Sequence, residues 1–124
     1  GGDGGAPDRP RAGAARQLYE QGEKFGARDA RTQARATVSL EPVPWGTRVS
    51  LKLGRVAGPQ RCELVAVGRD GERQTVTTWA VPDAGYGGTG GAGYYSGGAA
   101  FSRGEIARFE VVTLDGRRLV TIKV

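Results

Sequence analysis

A chain of 124 residues with 38% hydrophobic content is long enough to bury one core and too short for two. Its 22 glycines far exceed the ordinary share of about 7% and gather at the N-terminus and over residues 85–98, so the folded part is expected to be shorter than the chain. One cysteine and no histidine exclude an intrachain structural zinc site, a disulfide framework and any Ser–His or Cys–His nucleophile. The net charge of +5 is spread over arginines scattered along the chain and three lysines, without the clustered footprint of a nucleic-acid binder, so no nucleic-acid partner is expected.

Residues 1–16 are glycine, alanine, proline, arginine and aspartate with almost nothing to bury, and such a segment does not offset its own ordering entropy. Residues 1–32 are accordingly read as a disordered linker, and residues 33–124 as the folded domain. Within the linker, Leu18, Tyr19 and Phe25 are apolar enough to tack the stretch onto the domain, with a short edge strand over Glu23–Arg28. No run of 18 apolar residues occurs.

From Gln33 the pattern sharpens. Ala34, Ala36, Val38 and Leu40 alternate with Arg35, Thr37, Ser39 and Glu41, the period-two signature of a half-buried strand. Pro42 and Pro44 are expected to end it, because proline cannot donate to a ladder. Val49, Leu51 and Leu53 alternate again with Ser50 and Lys52. The stretch over residues 61–81 is the centre of the chain: Cys62, Leu64 and Ala66 on one side and Val65 and Val67 on the other make a strand apolar on both faces, which belongs in the middle of a sheet. Asp70-Gly71 then turns it into residues 75–81, since glycine takes the positive φ of a tight reversal at no steric cost.

After Pro82 a glycine-rich loop is expected over residues 83–98, then a short strand from Ala99 to Phe101 and a core plug at Ile106. Phe109 to Thr113, the Asp115-Gly116 turn and Leu119 to Val124 give a second hairpin. Seven or eight short strands with turn signals every eight to twelve residues, and no helix of useful length, argue for an all-β protein: an antiparallel, immunoglobulin-like β-sandwich. Trp79 is expected to supply core bulk, with an indole N–H that then needs a partner.

Three features bear on chemistry. Gly85-Tyr86-Gly87-Gly88-Thr89-Gly90 matches the dinucleotide spacing of glycines, but no helix-compatible run follows to hold a pyrophosphate, so no nucleotide cofactor is expected. Glu63, Glu72 and Glu110 read as surface charge, and no carboxylate pair stands out, so no enzyme is expected. Tyr86, Tyr94 and Tyr95, set among glycines and Ser96, have the composition of antibody loops and are the candidate partner-binding residues. Trp45, in Pro44-Trp45-Gly46, joins them as an exposed anchor or a plug over one end of the sheets.

Taken together, Pro44-Trp45-Gly46-Thr47, the alternation over residues 49–53, Gly58-Pro59 before Arg61-Cys62-Glu63-Leu64-Val65-Ala66-Val67, Thr78-Trp79-Ala80-Val81-Pro82, Gly85-Tyr86-Gly87, Glu105-Ile106-Ala107-Arg108-Phe109-Glu110-Val111 and Asp115-Gly116-Arg117 resemble one known module. It is the C-terminal extracytoplasmic domain of bacterial membrane-bound anti-sigma factors of the zinc-finger type. The resemblance spans residues 33–124. It implies a regulatory domain outside the cell membrane, with residues 1–32 as its juxtamembrane linker. It also implies that the sigma factor is held by a cytoplasmic zinc-binding domain, and the membrane crossed by a helix, neither of which lies in this chain. The partner of the outer domain would be an extracytoplasmic protein or ligand. The alternative is a secreted or cell-wall module that binds carbohydrate or protein with its loops.

Overall fold

The structure, a computed structural model, describes residues 12–87 and 91–124. In chain order the elements are α1 (Ala12–Gln21), β1 (Glu23–Arg28), β2 (Arg35–Val43), β3 (Gly46–Gly54), β4 (Gln60–Gly68), β5 (Arg73–Val81), β6 (Gly93–Ala99), a 3-10 turn (Arg103–Glu105), β7 (Ile106–Thr113) and β8 (Arg118–Lys123). One antiparallel sheet has the order β1-β2-β3-β6 and the other β5-β4-β7-β8. With β1 set aside, that is the A-B-E against C′-C-F-G order of immunoglobulin-like sandwiches, the class expected from the strand spacing.

The two Asp-Gly pairs turn where the sequence places them, with Gly71 at φ 89° and Gly116 at φ 98°. The doubly apolar β4 lies between β5 and β7, and Cys62, Leu64, Val65, Ala66 and Val67 are all buried. The alternating residues of β2 and β3 meet β4 and β7 across the interface: Val38, Leu40, Val49, Leu51 and Leu53 pack with Leu64, Phe109, Val111 and Ile122 in one core. Ile106 is fully buried at the head of β7.

The sides of the sandwich close differently. At one side the turn after β1 is stitched to β8: Arg31 Nη2 donates to the Arg118 carbonyl at 3.1 Å and Thr32 Oγ1 to the Leu119 carbonyl at 2.6 Å. At the other side β6 and β5 meet, and Gly97 lies against the Val76 carbonyl so closely that no Cβ fits. Val76 is itself the extra residue of a β-bulge, since Leu64 pairs Thr77 while Val65 pairs Thr75.

Four expectations change. The linker boundary at residue 32 moves: α1 and β1 are part of the domain, with β1 paired to β2 along its length, and residues 1–11 lie outside the described residues. A helix of ten residues exists where none was expected. β2 runs on through Pro42 to Val43. It does so because β1 stops at Glu23 opposite Leu40, and because Val43 with Gly46 closes the two-residue turn, so that the next pair, Pro42 with Thr47, is one in which no backbone donor is needed. Finally, Tyr94 and Tyr95 are not in a loop but in β6, paired with Lys52 and Leu51.

Candidate functional site

The pleat of β6 sorts the residues that looked alike in sequence. Tyr95 stands opposite the inward-facing Leu51 and packs on the core, whereas Tyr94, one residue earlier, faces outward beside Lys52. Tyr95 stacks on Trp79 of β5 with ring centroids 4.8 Å apart and planes at 16°, so the two rings bridge the sheets where their edges meet. Its hydroxyl is hydrogen-bonded to that of Tyr86. Burial, and then that hydrogen bond, push the Tyr95 phenol well above its ordinary range, so it keeps its proton at any physiological pH.

Tyr86 is fixed by its neighbours. Its N–H and C=O exchange hydrogen bonds with Val56 at 2.8 and 3.1 Å. Gly85 (φ 71°) and Gly87 (φ 105°) on either side take conformations that side chains resist, and Gly93 leaves the space its ring occupies. The glycine spacing that mimicked a dinucleotide motif thus bridges Tyr86 to Val56, and the next element is a strand. Residues 88–90 of that spacing lie outside the described residues.

Trp79 does supply bulk beside the core, half-buried, yet no group among the described residues accepts from its Nε1. Trp45, at the tip of the β2–β3 hairpin, is 55% exposed. Gly98 provides the space beneath its ring, where a Cβ would come within 2.6 Å of it. Trp45 therefore stands apart from the three tyrosines, one end of β6 away from Tyr94.

A groove of about 640 Å³ runs where α1 approaches the β5 and β6 edges. Ala15 and Leu18 form one wall, Thr77 and Thr78 the other, and Tyr94 and Ser96 lie between them. Tyr86 and Tyr95 reach its inner end. Tyr94 is held in place by α1, with the Tyr19 ring edge-on at 5.7 Å and the Arg16 guanidinium 5.4 Å from its centroid. Among the described residues the walls are aromatic, methyl and hydroxyl, without a carboxylate. The sequence concealed the contribution of α1, although Ala15, Leu18 and Tyr19 have the i, i+3, i+4 spacing of one helical face.

The remaining candidates are structural. Glu110, expected at the surface, is 5% exposed on the outer face of β7. It accepts from Arg73 Nη2 at 2.9 Å and from Arg108 Nε at 3.0 Å. Burial raises its pKa, but the hydrogen bonds to Arg73 and Arg108 and their charges outweigh that and leave it below the ordinary value. The Cys62 thiol is buried, and that burial pushes its pKa up, away from thiolate character. In a second hollow of about 430 Å³ beside the β4–β5 turn, Arg69 Nε donates to the Gly104 carbonyl and Gln74 Oε1 accepts from the Ala100 N–H. Among the described residues, no three His, Cys, Asp or Glu side chains come together as metal ligands, and no helix is long and apolar enough to cross a membrane.

Compared with protein-family models, with curated protein sequences and with solved structures, the chain finds no match.

Proposed function

We propose that the domain is the non-enzymatic, extracytoplasmic regulatory part of a membrane-bound anti-sigma factor, controlling sigma-factor release through a protein or ligand held in the groove between α1 and the β5 and β6 edges. The observation that carries a binding role is the groove itself: a concave surface lined by aromatic rings, methyls and hydroxyls. The pathway rests on the resemblance of residues 33–124. In such a factor the sigma factor is bound by the zinc-binding domain across the membrane, so the outer domain acts by what it contacts outside. Tyr94 is the groove ring to probe, since Tyr95 and Tyr86 are tied into the fold.

The test is transcription from a promoter of the cognate sigma factor, in cells carrying the full-length protein with Tyr94→Ala in this domain. The variant should shift the response to envelope stress while the protein level stays constant. Unchanged transcription even when residues 12–124 are deleted would remove the reading.

One observation favours the alternative of a secreted or cell-wall carbohydrate- or protein-binding module. Trp45 is 55% exposed and braced on Gly98, and a braced, exposed indole suits stacking on a sugar ring. Retention of the domain on insoluble cell-wall glycan, lost with Trp45→Ala, would select that reading over the first.

A further inference from the structure

α1 is weakly built. It has ten residues, fewer than the roughly 12–15 at which isolated helices become even marginal, and it carries Gly13 in its first turn. No acidic residue sits in that first turn and no basic residue in the last, so the helix dipole is uncompensated by its own side chains.

Its seat is equally weak. Among its described residues only Ala15 is buried, with Leu18 and Tyr19 half-buried. It packs on β2, β3 and β6, over the outer face of their sheet. Beneath it Ser39, Ser50 and Ser96 stand side by side in register across the three strands. The floor is therefore hydroxyl, not hydrocarbon. Ser39 and Ser50 are each 2% exposed, and Ser39 Oγ, pressed against Gly22, has no hydrogen-bond partner among the described residues. Among the described residues the other ties lie at the periphery: Lys24 Nζ donates to the Glu20 and Gly22 carbonyls at 3.0 Å and lies 5.3 Å from the Tyr19 ring centroid, and Tyr94 meets Tyr19 and Arg16.

Without α1, the outer face of this sheet presents Thr37, Ser39 and Glu41 on β2 and Arg48, Ser50 and Lys52 on β3. That is the pattern of a sheet face in water, and the core on the other side does not depend on the helix.

We propose that α1 is a releasable strap: it leaves the sheet and unwinds as a unit while the eight-stranded sandwich stays folded, and its return rebuilds the groove of which Ala15 and Leu18 are one wall. The groove is then conditional, present only with the strap closed. The proposal is independent of which partner the groove takes.

Native-state amide hydrogen exchange on the whole chain tests it. Amides of residues 16–21 should exchange about 100-fold or more faster than those at the centres of β4 and β7, through an opening that low denaturant does not accelerate. Ala15→Arg, which cannot seat against the sheet, should speed the α1 amides by a further factor of about ten and leave β4 and β7 unchanged. Gly13→Ala, whose Cβ meets nothing within 4 Å, should slow them by up to about fivefold, again without effect on β4. The strap is refuted if α1 amides exchange only with the global unfolding of β4, if Ala15→Arg accelerates both sets alike, or if Gly13→Ala leaves α1 exchange unaltered.

Discussion

Over one sheet, Val65 and Val67 on the outward side of β4 are sealed by side chains from the strands next to them; over the other, Ser39 and Ser50 are sealed by a helix from elsewhere in the chain. In the first case Arg73 and Arg108 flank Val67 in register, Glu110 flanks Val65, and the carboxylate joins the two guanidinium groups above the valines. Arginine stems cover apolar surface while their heads stay wet, so the cover and the sheet form together. In the second case the cover is a separate element that supplies no strand to the sheet. The difference separates what holds the sandwich from what is laid upon it: an integral roof cannot leave without breaking strands, and an added one can.

The largest expected effect lies under the integral roof. Val67 is 1% exposed although it faces away from the core between the sheets. Val67→Ala removes two buried carbon groups and should lower the unfolding free energy by about 1.5–2 kcal/mol in urea melts, at about 0.8 kcal/mol per buried group. A loss near zero would mean that the arginine stems do not exclude water and that both outer faces are equally dispensable.

Next comes Glu110. Its carboxylate is buried while Arg73 and Arg108 are each about half exposed, so the arginines rehydrate if it is lost, and Glu110→Gln should cost about 1–2 kcal/mol at neutral pH. The pH dependence sharpens the assignment. A carboxylate with a lowered folded pKa contributes stability that is full above its unfolded value, about 4.3, and is lost as pH falls through the folded value. Wild type and Glu110→Gln should therefore converge in acid. Asp29, lowered chiefly by the Thr32 and Arg31 amides, and Asp115, lowered chiefly by the Thr113 hydroxyl, leave a residual acid slope in both proteins. A constant difference from neutral pH down to pH 3 would show that the arginine pair does not recognise the charge.

The integral parts were the legible ones. Alternation over β2 and β3, the two-sided β4 and the Asp-Gly turns state their structure in local pattern, and all of them fold as their sequence implies. What sequence concealed depends on distant partners. Glu110 reads as a surface charge until β5, lying across β4, brings Arg73 to it beside Arg108 of its own strand. Tyr94 and Tyr95 read as one loop feature until the pleat sends one ring into the sandwich and the other to α1. Gly93, Gly97 and Gly98 read as flexibility, yet their missing side chains make room for Tyr86, the Val76 carbonyl and Trp45. Of the candidate site, Tyr86, Tyr94 and Tyr95 were visible as composition, and the helical wall was not, because a single turn of Ala15, Leu18 and Tyr19 is too short a period to stand out.

The smallest expected effect has the opposite sign. Ser39 Oγ is buried beneath the end of α1 with no hydrogen-bond partner among the described residues, and such a hydroxyl gives up its water for nothing in return. Ser39→Ala removes that hydroxyl. If the helix rests on a floor that only weakly favours it, the variant should hold α1 more firmly and raise stability by up to about 1 kcal/mol, where most buried truncations lower it. The gain should appear first as slower exchange of the α1 amides, because docking is the step that the hydroxyl opposes, and only secondarily in the urea midpoint. A loss of more than about 0.5 kcal/mol would show that the hydroxyl is bonded in solution. The added roof would then be tied down as firmly as the integral one, and the contrast between the two faces would fail.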